Sequence, residues 1–180
     1  MMLSKHILKV QSGFSLIEIL ISLVVLSIGL LGLGGLQLTS LKSANNAHFR
    51  TAASIAATEL ADRMRLNPSA VANALYEQEV DRAVCSTTDT TKSCDGDNVC
   101  STTEAAAYDL KMSGCGRTQG SERSGGVFYQ LPNSTLAINC GTVACEAGVE
   151  HTINIGWNEV DDDDEGTEVQ ARSYELNFIP

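Results

Sequence analysis

The chain has 180 residues, 43% hydrophobic and 5% aromatic, which is room for one modest globular core and too little for a multidomain enzyme. Twelve Lys and Arg against 22 Asp and Glu give a net charge of −10, which argues against phosphate-backbone contacts and so against duplex nucleic acid as a partner. The apolar residues gather before residue 42 and the acids after residue 58, so the chain reads as two opposed parts.

The first part starts with Lys5 and Lys9 and holds no acid before Glu18. From Ile19 to Leu41 run 23 uncharged residues, a helix of about 35 Å, long enough to cross a bilayer. The positive-inside bias puts the amino terminus in the cytoplasm and exports the carboxyl-terminal part. A cleaved secretory signal fits poorly, because its apolar stretch is shorter and Gly34 and Gly35 make a weak cleavage site. A plain membrane anchor fits the length but leaves Glu18 unexplained, since an unpaired carboxylate near the edge of a lipid-embedded helix is costly.

Gly13-Phe14-Ser15-Leu16-Ile17-Glu18 comes after this short basic leader, opens the apolar helix, and resembles the processing site of type IV prepilins. The resemblance implies a leader over 1–13, cleavage after Gly13 by a membrane prepilin peptidase, and N-methylation of Phe14. Residues 14–41 become a transmembrane and filament-core helix. Loss of Lys5 and Lys9 moves the side-chain balance from −10 to −12. The new amine at Phe14 and the Glu18 carboxylate are both expensive in hydrocarbon, and pairing between neighbouring subunits neutralises both while setting an axial register. The competing reading of Glu18 is a solvated residue at the membrane interface.

Residues 42–68 form the second, amphipathic half of the same helix. Phe49, Ala53, Ala56, Leu60 and Met64 recur at three- and four-residue spacing, and Asn67-Pro68 closes the run. A single helix from Phe14 to Asn67 extends about 80 Å. Gly29, Gly32, Gly34 and Gly35 interrupt its apolar half, each at roughly 1 kcal/mol relative to Ala. They read either as small-residue seams between helices or as a stretch that unwinds when the helix leaves lipid for a filament.

Residues 69–180 form the exported head. Cys85, Cys94, Cys100, Cys115, Cys140 and Cys145 all lie there; an oxidising compartment and the absence of any C-x-x-C pair favour disulfides over metal. Six cysteines allow 15 pairings, of which Cys140 with Cys145 is one short loop. Ala70–Val84 reads as further helix and Glu104–Met112 as a second short one. From Gly126 the period is two. Val127, Tyr129 and Leu131 pair across a Pro132-Asn133 turn with Leu136, Ile138 and Cys140. Val149, His151, Ile153, Ile155 and Trp157 share one face of the next strand. In the last, Val169 and Ala171 fall out of phase with Tyr174, Leu176 and Phe178, which predicts a bulge near Arg172-Ser173. The expected fold is α+β: a long N-terminal helix packed by its second half on an antiparallel sheet of about four strands, with a disulfide-containing pilin head.

Asp161, Asp162, Asp163, Asp164 and Glu165 read as a solvated connecting loop, with calcium as the weaker option because no D-x-D-x-D-G spacing orders them. His6, His48 and His151 are too scattered for a metal site, and His151 reads as a sheet residue. Asn133-Ser134-Thr135 fits a glycosylation acceptor but coincides with a turn that needs those residues anyway. With no nucleophile and base, phosphate loop or paired-carboxylate cleft in view, neither catalysis nor a cofactor is expected.

The Gly13–Glu18 start, the Gly29-Leu30-Leu31-Gly32-Leu33 run and Glu59-Leu60-Ala61-Asp62-Arg63-Met64-Arg65-Leu66-Asn67-Pro68 together are most similar to the PilV-type minor pilins, a likeness covering roughly the first third of the chain. It implies a minor pilin that helps prime assembly of a type IV pilus; beside it stands a second, binding reading, in which a tip-located head contacts a surface or ligand through its disulfide-bounded loops. The implied partners are other minor pilins, the major pilin, the prepilin peptidase and the inner-membrane assembly platform. Its location is then the inner membrane before assembly and the extracellular pilus afterwards. A minor pseudopilin of a type II secretion system and a tip adhesin with no assembly role are the alternatives.

Overall fold

The computed structural model describes residues 13–86, 91–119, 122–141, 145, 148–163 and 166–180. Helix α1, Leu16–Leu66, contains no proline over its 51 residues and carries Glu18 in its first turn and Arg63 and Arg65 in its last, charges that complement the helix dipole at both ends. The chain forms two compact units, one ending at Ala44 and the other running Asn45–Pro180. In the first, one helix is long and apolar enough to cross a membrane.

Pro68 ends α1 because it has no N–H for the ladder, and its fixed φ starts α2, Pro68–Ala72, from the first position. The chain does not stay helical to Val84 as the sequence predicts. It turns extended at β1, Glu79–Val80, and then forms a single 3-10 turn, Arg82–Cys85, capped by the Asp81 carboxylate accepting from the Ala83 amide at 2.8 Å. Helix α3, Thr102–Cys115, extends past both ends of the expected Glu104–Met112. At its start the Ser101 hydroxyl accepts from the Glu104 amide while the Glu104 carboxylate accepts from the Ser101 amide.

Strands β2, Arg117–Gln119, and β3, Glu122–Ser124, pair as a small separate hairpin. The alternation at Val127, Tyr129 and Leu131 is not a strand but a helical turn, α4, Val127–Gln130. Gly126 enters it at φ 79°, and there a side chain at Gly126 or at Gly116 (φ 70°) would collide with the other's backbone segment. Two chain segments cross at these glycines, and the resulting bend turns Val127 and Phe128 together into the core.

The main sheet has the order β1-β4-β5-β6, all antiparallel, with β4 at Thr135–Cys140, β5 at His151–Asp163 and β6 at Gly166–Phe178. Four strands are present, but the first is Glu79–Val80, which pairs with Leu136 and Ala137, and not a strand from 127–131. The expected bulge in the last strand is absent. β5 and β6 keep one register from His151↔Phe178 to Asp163↔Gly166. The apparent slip arises because Val169 and Ala171 face outward, whereas Arg172 shares the inward face with Tyr174, Leu176 and Phe178. Asp161, Asp162 and Asp163 likewise belong to β5 and not to a loop; Asp164 and Glu165 lie outside the described residues.

One core joins the parts of the Asn45–Pro180 unit. Ala53, Ala57, Leu60, Ala61 and Met64 of α1 are at most 1% exposed, and they share a cluster with Leu136, Ile138, Ile153, Ile155 and Trp157 of the sheet. Ala53, Ala57 and Ala61 recur every fourth residue and so share one buried face of the helix. Full burial of each large side chain contributes about 1.5–3 kcal/mol.

Candidate functional site

Gly13, Phe14 and Ser15 precede the helix without regular structure, and Phe14 is 82% exposed. The Ser15 carbonyl accepts from the amides of Glu18 and Ile19 at 3.1 and 3.3 Å, which starts α1. Glu18 is exposed and sits where the helix N-terminus favours negative charge. Ser15-Leu16-Ile17-Glu18 has the same Ser-x-x-Glu spacing as Ser101-Thr102-Thr103-Glu104. In α3 that spacing closes into a reciprocal capping box, while among the described residues Ser15 and Glu18 form no such side-chain pair. Among the described residues, no side-chain hydrogen bond or ion pair engages the carboxylate at the head of α1.

Behind Glu18 every Leu, Ile and Val from Leu16 to Leu41 is at least 50% exposed. Apolar surface this continuous marks a membrane or protein contact. Three hydroxyls along it are satisfied locally: those of Ser22 and Ser27 donate to the carbonyls of Glu18 and Leu23 at 2.7 Å, and that of Thr39 to the carbonyl of Gly35 at 3.3 Å. In an apolar medium these bonds spare the hydroxyls a desolvation cost. A Cβ placed at Gly29, Gly32, Gly34 or Gly35 would meet nothing within 4 Å, and α1 stays helical through all four.

The head gathers polar groups where α1 meets α3. Arg63 donates to Asp109 at 3.2 Å and to Glu59 at 2.8 Å, and the Tyr76 hydroxyl donates to the other Asp109 oxygen at 2.7 Å. Burial, then the Asp109 carboxylate, pushes the Tyr76 phenol well above its usual range. Burial pulls the Arg63 guanidinium down, but its bonds to Glu59 and Asp109 outweigh that and raise it. These bonds tie α1 to Tyr76 and to α3, which suits a buttress. At the sheet, Glu159 is 5% exposed; its two oxygens accept from Trp157 Nε1 at 2.9 Å and Arg172 Nε at 3.2 Å.

The six cysteines pair as Cys85–Cys115, Cys94–Cys100 and Cys140–Cys145. The first ties the 3-10 turn to the end of α3 inside the core, and the second closes a small ring ahead of α3. Beside the third stand Glu77 and His151, a grouping hidden in the sequence because Glu77 is more than sixty residues from its neighbours. Its one sequence signal is His151 at an inward strand position. Of the calcium option at 161–165, Asp161–Asp163 belong to β5 and Asp164 and Glu165 lie outside the described residues.

Comparison with known proteins finds two family models. Residues 35–111 match the one described as type IV pilin Tt1218, and residues 8–34 match the prokaryotic N-terminal methylation motif. No curated protein and no solved structure gives a significant match.

Proposed function

We propose, from the premise that this chain is a type IV prepilin-like protein, that it is a PilV-like minor pilin that helps prime assembly of the filament. The leader over 1–13 is removed after Gly13, Phe14 is methylated, and residues 14–41 hold the subunit in the inner membrane with the head exported. The observation that carries this reading is the methylation motif over residues 8–34 continuing into a bare apolar helix. The pilin likeness points to a structural protein and not to an enzyme.

Assembly then moves the helix from lipid to a bundle of like helices. Glu18, which α1 does not use to cap itself, accepts from the Phe14 amine of a neighbouring subunit, and this charge-assisted bond fixes the register. Its partners are other minor pilins, the major pilin, the peptidase and the assembly platform, and the head stands at the tip, where adhesion is a second role.

The mass of the amino-terminal peptide from cells tests the premise: methylated Phe14 at the start is expected, and intact Met1 as the sole species overturns it. Glu18→Ala should be exported and trimmed normally yet enter filaments tenfold less or worse, the loss expected for a charge-assisted bond of about 1.5–3 kcal/mol. Deletion should abolish surface pili. Pili that persist without attachment assign adhesion alone, and a secretion defect with normal pili assigns a pseudopilin.

A further inference from the structure

Glu77, Cys140, Cys145 and His151 come from the loop before β1, the end of β4, the loop after it and the start of β5. One ligand atom from each lies within 4.8 Å of all the others. Ligand atoms around a tetrahedral zinc ion are about 3.3–3.8 Å apart, so the widest separations must close by about 1 Å while the two sulfurs, bonded to each other in the disulfide, part to that distance. The sheet fixes half of the set, because Cys140 and His151 are direct cross-strand partners. Cys140 and Cys145 are separated by four residues, within the spacing that lets two thiolates share one ion.

Two further features point to a cation. His151 is 1% exposed, and its Nδ1 lies 3.0 Å from the Val149 carbonyl. Donation there leaves Nε2 as the lone-pair nitrogen, the orientation that metal-binding histidines take from a backbone carbonyl. The Glu77 carboxylate lies directly against Cys145 Sγ. A shared cation would make both of them ligands.

We propose that Glu77, Cys140, Cys145 and His151 form a zinc-type divalent-metal site that becomes available when the Cys140–Cys145 disulfide is reduced. A dithiol or phosphine reductant supplies two electrons and water or the dithiol two protons; the S–S bond opens to two thiols. Binding the ion releases both protons and leaves two thiolates, a carboxylate and a neutral imidazole around it. Metal and disulfide exclude each other because they use the same two sulfurs. Reoxidation by thiol–disulfide exchange with a disulfide oxidant, which takes the two electrons and leaves as a dithiol, expels the ion.

The test uses the full chain in detergent micelles, reduced without oxygen by a water-soluble phosphine, which ends as its oxide, and titrated with Co2+ and then Zn2+. One Co2+ per chain is expected, with thiolate charge-transfer and tetrahedral ligand-field absorption that Zn2+ abolishes. The unreduced chain and the Cys140→Ser/Cys145→Ser variant should show neither, and Glu77→Gln should bind at least about tenfold more weakly. No absorption in the reduced chain, or absorption that survives the double variant, overturns the proposal. Should reduction loosen the head, alkylation decides: Zn2+ should protect Cys140 and Cys145 at least tenfold over the other four, and equal labelling of all six rules the site out.

Discussion

The two halves of α1, one almost wholly apolar and the other amphipathic, meet opposite fates. From Leu16 to Leu41 every branched aliphatic side chain is at least half exposed, whereas Leu60 and Met64 are fully buried. Helix propensity is not the difference; the second half has a sheet to pack on and the first is left exposed. One substitution made in both halves breaks or confirms that contrast. Leu60→Ala should cost the head about 3–5 kcal/mol in denaturant unfolding of the full chain in micelles. Leu26→Ala, at a residue 58% exposed, should leave the same transition in place. Equal losses would show that the halves share one stability.

The head also differs from the apolar half in being stapled, and the staples are unequal. Cys85–Cys115 closes 30 residues inside the core, and Cys94–Cys100 closes 6 at the surface. Replacing both members of the first pair with Ser should cost about 3–4 kcal/mol, and replacing the second pair about 2 kcal/mol. Urea midpoints compare them directly. A larger loss from the 94–100 pair would mean that the ring organises the head, and not the core crosslink.

The apolar helix, the motif at its start, the closing proline and the inward face of β5 were legible because each is local. They rest on period, spacing or one residue's backbone limits. What failed was non-local. Val127–Leu131 alternates like a strand, but the crossing of Gly116 and Gly126 bends it into a helical turn, and the edge of the sheet is taken instead by Glu79–Val80. Arg172 looked like an error of phase because an inward arginine is unexpected; it faces inward to meet the buried Glu159. Which of the 15 pairings the cysteines adopt, and that Glu77 joins one of them, depends on loops meeting in space.

A smaller effect probes the polar buttress that the apolar half lacks. Tyr76→Phe removes a donor to Asp109 and should cost about 1–2 kcal/mol at neutral pH. The phenol is held above its unfolded value of about 10. Its contribution is therefore complete below about pH 10 and falls as pH rises further, because the unfolded chain ionises first. Melting temperature measured between neutral and strongly alkaline pH should fall more steeply in the parent than in Tyr76→Phe. Parallel slopes would sink this account.

The smallest effect separates the two Ser-x-x-Glu starts. Ser101→Ala should cost about 1 kcal/mol, since it strips the acceptor from the Glu104 amide. The Ser101 amide first, then Lys92, hold the Glu104 carboxyl below its ordinary range. A depressed carboxyl contributes above its unfolded pKa, about 4.3, and loses that contribution as pH falls through the folded value. Lys92 also donates to the Val99 carbonyl at 2.8 Å, so protonating Glu104 loosens the 94–100 ring together with the helix start. Glu104→Gln should accordingly lower the melting temperature at neutral pH and match the parent in strong acid. Ser15→Ala, at the open start of α1, should cost the isolated subunit less than Ser101→Ala, because among the described residues Ser15 and Glu18 form no reciprocal side-chain pair.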